Sequence, residues 1–282
     1  MRKLRVGEIP YMNLFPIFHE LRDGCDHSDY EFIEGHPSEV NKMLREGLLD
    51  ISPSSSVEYL KDRDNYIIFD GHSISSEGPV ESILLFSRQP IEDIDGHEIF
   101  VTHRSETSPV LLRIILEKFY GISVALRTTR APIKEAIEAH SAYLAIGDEA
   151  LVTAGRARKI DMHVLGDFEL YIIGHDAFYT YDLGNLWHRK TGLPFVFALW
   201  TARKQSMNEK KELFERFKND LDKAKTTALE NLEKIAASSG MRDIIGAERL
   251  VSYWNGISYD LAGKHMKGLE LFGKYAKELK LL

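Results

Sequence analysis

The 282-residue chain has a single cysteine, Cys25. One thiol excludes an internal disulfide and any zinc site built on paired thiolates. The sequence has no Gly-x-Gly-x-x-Gly, no Gly-x-x-x-x-Gly-Lys-Ser/Thr, no His-Glu-x-x-His and no Gly-x-Ser-x-Gly. The short signatures of dinucleotide, phosphate-loop, zinc-peptidase and serine-hydrolase chemistry are therefore missing. The histidines are scattered, and His97 and His103 do not share a helical face at ligand spacing, so no metal site is expected. A formal net charge of -7 lacks the basic footprint of a nucleic-acid binder. No apolar run approaches the ~20 residues of a membrane span. Met1–Glu8 is basic with no apolar stretch behind it, which does not fit a secretory signal. The expected location is cytoplasmic.

What is present is an alternation of short apolar runs with amphipathic segments, the pattern of an α/β architecture. Strands are predicted at Leu4–Gly7, Tyr30–Ile33, Asp50–Ser52, Ile83–Phe86, Glu98–Thr102, Val124–Arg127, Tyr143–Ile146 and Phe195–Thr201. Ser38 is placed to cap a helix over Ser38–Glu46, and Leu111–Phe119 is apolar nearly all round, as in a deeply buried helix. From about Asn208 the chain turns helical. Leu213, Phe217, Leu221, Ala224, Ala228, Leu232 and Ile235 form one stripe, and Leu261, His265, Leu269, Phe272, Ala276 and Leu279 a second.

The break in pattern implies two lobes with two hinge crossings. Residues 1–87 and 199–282 form a discontinuous first lobe and residues 88–198 the second. The chain leaves by Ser87–Pro90 and returns through Tyr181–Trp200, which combines a short helix, a Thr-Gly-Leu-Pro turn and an almost wholly apolar strand. A cleft between two lobes is a favoured place for a small ligand.

Hydroxyl-bearing residues gather at strand-to-helix junctions. In Ser105-Glu-Thr-Ser-Pro109 the proline suits a first helical position, which makes Ser108 the N-cap. The Thr107 and Ser108 hydroxyls with the amides of Val110 and Leu111 then form an anion site at a helix start. Ser52-Pro-Ser-Ser-Ser56 repeats the device. Each cluster also reads as ordinary capping. Two such sites across a cleft suit a ligand with two carboxylates. At ~1.5–3 kcal/mol per charge-assisted hydrogen bond, micromolar binding of roughly -8 kcal/mol is reachable after ordering costs. Asn13 follows the first strand, at the carboxyl end where α/β sheets bind ligands. Ser82 precedes Ile83–Phe86, and Asp148 at the end of Tyr143–Ile146 either caps a helix or touches ligand.

Taken in order, Arg5-Val-Gly-x-x-x-Tyr-Met-Asn13, Pro53-Ser-Ser-Ser-Val-Glu-Tyr59, Gly78-Pro-Val-Glu-Ser82, Ser105-x-Thr-Ser108, Ile146-Gly-Asp148 and Asp182-Leu-Gly-x-x-Trp187 with Thr191-Gly-Leu-Pro-Phe-Val-Phe-Ala198 resemble the MqnA family. These are the chorismate dehydratases of the futalosine route to menaquinone. The resemblance spans roughly residues 5 to 200. It implies an α/β, type II periplasmic-binding-protein-like fold with two mixed-sheet lobes and a helical tail. It also implies a lyase that converts chorismate to 3-[(1-carboxyvinyl)oxy]benzoate plus water without a cofactor. Asn13 and Ser82 stand at the family's active-site positions. Tyr11, Ser54, Ser55, Ser56, Thr107, Ser108, Gly147 and Asp148 stand at positions that would bind substrate. Two departures are Met12, where the family more often has leucine, and Pro109, which removes one amide from the anion site. The expected partner is a small dicarboxylate, with a second copy of the chain (a homodimer) as a further candidate. Alternatives are the related 1,4-dihydroxy-6-naphthoate synthase and a non-catalytic cytoplasmic binder of a small dicarboxylate.

Overall fold

The structure, a computed structural model, describes residues 3–160 and 167–282; Met1 and Arg2 of the basic N-terminal stretch lie outside the described residues. The strands run in chain order β1 (Leu4–Glu8), β2 (Tyr30–Glu34), β3 (Ile51–Ser55), β4 (Tyr66–Ser76), β5 (Ile83–Ser87) and β6 (Glu98–Thr102). They continue with β7 (Ala125–Thr129), β8 (Ala142–Ile146), β9 (Arg158–Ile160), β10 (Glu169–Ile173), β11 (Asp176–Asp182) and β12 (Phe195–Arg203). They form a five-stranded sheet of order β2-β1-β3-β12-β4 and a seven-stranded sheet of order β7-β6-β8-β5-β11-β10-β9. Each sheet is mixed. β1 runs parallel to β2 and β3, and β6 parallel to β7 and β8, while β12 and β5 run antiparallel to their neighbours. β3 and β8 are buried along their whole length, as central strands with both faces covered must be.

All eight expected strands are present, within a few residues of their expected bounds. β4, β9, β10 and β11 were not expected. β4 carries Asp70-Gly-His-Ser73 through its middle, which interrupts any apolar pattern. The lobe boundaries move. β5 belongs to the seven-stranded sheet, so the chain leaves the first sheet within Glu77–Ser82 and not at Ser87–Pro90. β12 pairs with β3 and β4 from Phe195 onward, so the return falls in the turn before it. Packing still hands over along this strand. Phe195, Val196, Phe197 and Leu199 lie in one core cluster with Trp187, whereas Trp200 and Ala202 lie in the other.

Both tail stripes are helical, though Leu232 and Ile235 of the first lie on a separate helix, Leu232–Ser238, and Leu261 and Leu279 flank the helix of the second. The helix Lys211–Glu230 buries Phe214, Phe217, Leu221, Ala224 and Ala228 in the first core. The helix Gly263–Glu278 buries Leu269, Phe272 and Ala276 in the second, so the tail does not return to the first lobe alone. Gly268 makes this docking possible, since a Cβ there would sit 2.1 Å from the Pro194 carbonyl oxygen. The helix expected from Ser38 starts earlier: it runs Pro37–Arg45 with His36 at its N-cap and the proline at N1, the position that tolerates a missing amide best. The buried helix near Leu111 runs Thr107–Ile114 and continues as a π-helical turn, Ile115–Tyr120. Among the described residues no helix is long and apolar enough to cross a membrane.

Candidate active site

The loops after four parallel-type strand ends meet between the sheets. β1 leads to Tyr11–Asn13 and the helix Phe15–Asp23, and β3 to Ser55 and the short helix Ser56–Lys61. β6 leads to the helix Thr107–Ile114, and β8 to the helix Gly147–Arg156. A cavity of about 70 Å³ lies where these helix starts converge. Asn13, Ser55, Ser82, Ser105, Thr107, Ser108 and Gly147 line it together with apolar Ile9, Ile74, Val80 and Phe197. No lysine, arginine or histidine is among its lining residues. The favourable field an anion could meet here is that of the helix N-termini, each equivalent to roughly half a positive charge.

The lobes are closed on this cavity. The Met12 amide donates to Asp148 Oδ1 at 2.9 Å, the Val57 amide to Thr107 Oγ1 at 3.2 Å, and the Ser38 amide to the Arg104 carbonyl at 3.3 Å. The Tyr11 ring covers Gly147, where φ is +64° and a Cβ would stand 2.9 Å from the ring. Glycine is required there on both counts. The cavity is well below the ~300 Å³ of a typical ligand pocket, so entry of a ligand requires the lobes to part.

Seven of the ten expected site residues line the cavity: Tyr11, Asn13, Ser55, Ser82, Thr107, Ser108 and Gly147. Asn13 Oδ1 is buried with no hydrogen-bond partner among the described residues. Ser54, Ser56 and Asp148 point elsewhere. Ser54 shares a strand face with Ser52 and bonds to it at 2.6 Å, and Ser56 donates to the Val196 carbonyl at 2.5 Å. Strand alternation separates Ser54 from Ser55, because neighbours on β3 face opposite sides; Ser56 is already the first residue of the helix. Ser55 caps its helix by accepting from the Glu58 amide and is itself held by Asn41, which donates to its hydroxyl at 2.9 Å. Ser108 is not an N-cap. Its helix begins at Thr107, and the Ser108 amide donates to Ser105 Oγ at 3.2 Å. Pro109 is the third helical residue, a place where its missing amide costs no intrahelical bond. The Leu111 amide consequently lies past the first turn.

The residues missed by sequence reasoning come from the tail. Tyr253 and Trp254, on the helix Ala247–Asn255, and Tyr259 beyond it reach back to the site. The Tyr253 phenol donates to Ser82 Oγ at 2.9 Å, Trp254 Nε1 to the Met12 carbonyl at 2.6 Å, and the Tyr259 phenol to the Asn13 carbonyl at 2.9 Å. Periodicity identifies these side chains only as a buried face. Their partners lie some 170 to 250 positions away, beyond any local signal.

A sequence profile described as menaquinone biosynthesis matches residues 4–278. The chain belongs to the menaquinone biosynthesis family. Chorismate dehydratase of Thermus thermophilus is 27% identical over 97% of this chain and 95% of its own length. The 1,4-dihydroxy-6-naphthoate synthase of the same organism is 24% identical over 72% of this chain and 67% of its own length. Among solved structures, protein AF1704 of Archaeoglobus fulgidus superposes with a TM-score of 0.76 at 17% identity, covering 100% of this chain and 99% of that one. The alkanesulfonate-binding protein SsuA of Xanthomonas axonopodis pv. citri gives 0.65 at 12%, covering 100% and 94%. The fold is therefore of the periplasmic-binding-protein type.

In this menaquinone-family chain Asp148 bridges the two lobes. It does not cap its own helix, because its carboxylate reaches across the cleft to Met12. Burial pushes its pKa up to about 6, opposed by the Met12 amide and aided by neighbouring Glu149. A raised value means the closed form binds the proton more tightly than a hydrated carboxylate does. The associated stabilisation of closure is full at low pH and is lost as pH rises through about 6. Affinity for a ligand that closes the lobes should fall roughly three- to tenfold between about pH 5 and 7. Asp148→Asn should flatten that dependence in a calorimetric titration series; an unchanged slope would show that Asp148 does not set it.

A larger groove of about 450 Å³ opens beside the hinge, lined by Glu81, Lys159, Glu169, Tyr171 and Arg249 among others. Its charges are already paired, Arg249 with Glu81 and Lys159 with Glu169, and it shares no residue with the cavity. Among the described residues no group of three or more histidine, cysteine or acidic side chains has the arrangement to hold a metal.

Proposed function

We propose that this chain is a chorismate dehydratase, a hydro-lyase acting in the cytoplasm on the futalosine route, which converts chorismate to 3-[(1-carboxyvinyl)oxy]benzoate and water. The observation that carries this reading is a small, cation-free cavity at converging helix starts that holds Asn13 and Ser82 together. Such a site suits a rigid dianion. The two carboxylates of chorismate would be met by amides and hydroxyls from both lobes, on the Ser55 side and the Thr107–Ser108 side. The relative at 27% identity supports the same substrate.

The C3 hydrogen and the C4 hydroxyl of chorismate leave together as water, and the ring becomes aromatic. The C3 proton is conjugated through a ring alkene to the ring carboxylate, so donors on that carboxylate stabilise the charge that develops as the proton leaves. The lining offers no obvious general base: Glu106, its one carboxylate, lies within 4.0 Å of Arg45 and Lys61. The substrate's own enolpyruvyl carboxylate therefore takes the proton and passes it to the departing C4 oxygen, so that water leaves. Asn13 holds that carboxylate in reach of C3, and Ser82 donates to the departing hydroxyl. The protein supplies orientation and exclusion of water through lobe closure.

Two substrates test this. Chorismate should be converted, while chorismate esterified at the enolpyruvyl carboxylate should not, because its internal base is gone. Conversion of the ester at the same rate would remove the substrate-assisted step. A non-catalytic binder, the other reading the fold allows, would raise the melting temperature with chorismate and return it unchanged.

A further inference from the structure

The backbone around Ser82 is fixed on both sides. The Val80 and Glu81 amides donate to the Asp182 carboxylate at 2.9 and 2.6 Å. Glu81 is held at φ +61°, and the Ser82 carbonyl accepts from the Gly147 amide at 2.7 Å. What remains free is rotation of the hydroxyl. Tyr253 controls it. This side chain is 1% exposed and its phenol donates to Ser82 Oγ at 2.9 Å. Besides Tyr253, the hydroxyl has one hydrogen-bond partner among the described residues, the Val80 carbonyl at a long 3.3 Å.

We propose that Tyr253 is a positioning residue that occupies an acceptor lone pair of Ser82 Oγ, so that the serine presents its proton to a substrate oxygen in the cavity. The inference rests on the dehydratase reading for its kinetic consequence but not for its geometry. Burial holds the phenol pKa far above its ordinary value, so Tyr253 keeps its proton and has it to donate to Ser82 Oγ. A donor to Oγ also polarises the serine O–H and strengthens the bond it makes onward. In the structure the Ser82 proton points to the Val80 carbonyl at 3.3 Å, a long bond that a substrate oxygen can displace; without the phenol, the lone pair that Tyr253 holds can turn to the cavity instead, the wrong polarity for a departing hydroxyl. Tyr253 is not among the residues that line the cavity. It acts through Ser82.

The test is Tyr253→Phe, alone and combined with Ser82→Ala, read in two ways. With chorismate, Tyr253→Phe should lower kcat about tenfold, the effect of one misdirected neutral hydrogen bond, with KM changed less than about twofold. The double variant should be no slower than Ser82→Ala within about twofold, since the two side chains act as a unit. A crystal structure of Tyr253→Phe should show the Ser82 hydroxyl in a different or mixed rotamer. Full kcat, additive losses, an unmoved Ser82 rotamer or loss of the fold in Tyr253→Phe would each overturn the proposal. If the wild-type protein leaves chorismate untouched, the dehydratase reading fails, and the rotamer measurement still decides the role of Tyr253.

Discussion

Replacing Asn13 by alanine should lower kcat on chorismate by about 10²–10³-fold, the scale on which a preorganised polar group at a reacting centre acts. The melting temperature should move by less than about 2 °C, because the substitution leaves nothing unsatisfied. This pairing of a large kinetic loss with a small stability change follows from one fact. Asn13 Oδ1 is buried without a partner among the described residues, so this acceptor is not spent on the fold; a substrate carboxylate, itself an acceptor, would be held by the side-chain NH2. The loop that presents it is fixed through main-chain atoms, by Trp254 on the Met12 carbonyl and Tyr259 on the Asn13 carbonyl, and these survive the change. A steady-state assay with a thermal melt on the same sample measures both. Turnover within about threefold of wild type would remove Asn13 from the reaction.

Asp182→Ala should give the opposite profile, a large stability loss with a secondary loss of activity. The Asp182 carboxylate caps the helix Leu183–Thr191 through the Asn185 amide at 3.0 Å and anchors the outgoing hinge segment through the Val80 and Glu81 amides. Removing it deletes a cap, worth ~1 kcal/mol, and strands two turn amides at ~1 kcal/mol or more each. A total of about 3 kcal/mol corresponds to a melting temperature lower by about 6–12 °C at this chain length. Glu81 then loses what holds its positive φ, and Ser82 loses its fixed position. Asp182→Asn keeps an acceptor and should lose less than half as much. Equal melts for the alanine and asparagine variants would show that the carboxylate does not anchor the hinge.

Asp182 also shows what the sequence made legible. Tyr181–Trp200 reads as a helix, a turn and a buried strand, and each part is present. Thr191 Oγ1 donates to the Trp187 carbonyl and accepts from the Leu193 amide, and Gly192 ends the helix at φ +69°. Gly184 is there because a Cβ would press within 2.6 Å of Ser76 Oγ and 2.7 Å of the Gly78 carbonyl. Local chemistry of this kind is written in the residues themselves. The use of Asp182 as a clamp on a segment a hundred residues earlier is not, because it depends on which elements meet. The same limit separates Ser55 from Ser54 and Ser56. A run of serines marks a strand-to-helix junction, but only the orientations of the strand and of the helix start decide which hydroxyl meets the cavity. The aromatic cluster Tyr253, Trp254 and Tyr259 lies furthest from sequence reach, since burial there looks the same whether it serves packing or the site.

The most direct test of the proposed activity is a time course of chorismate with the purified protein near neutral pH, separating products by chromatography and mass. Loss of chorismate matched mole for mole by 3-[(1-carboxyvinyl)oxy]benzoate, and abolished by Asn13→Ala, is the expected result. Chorismate that raises the melting temperature yet is recovered intact, or that is converted equally well by the Asn13→Ala protein, would contradict it.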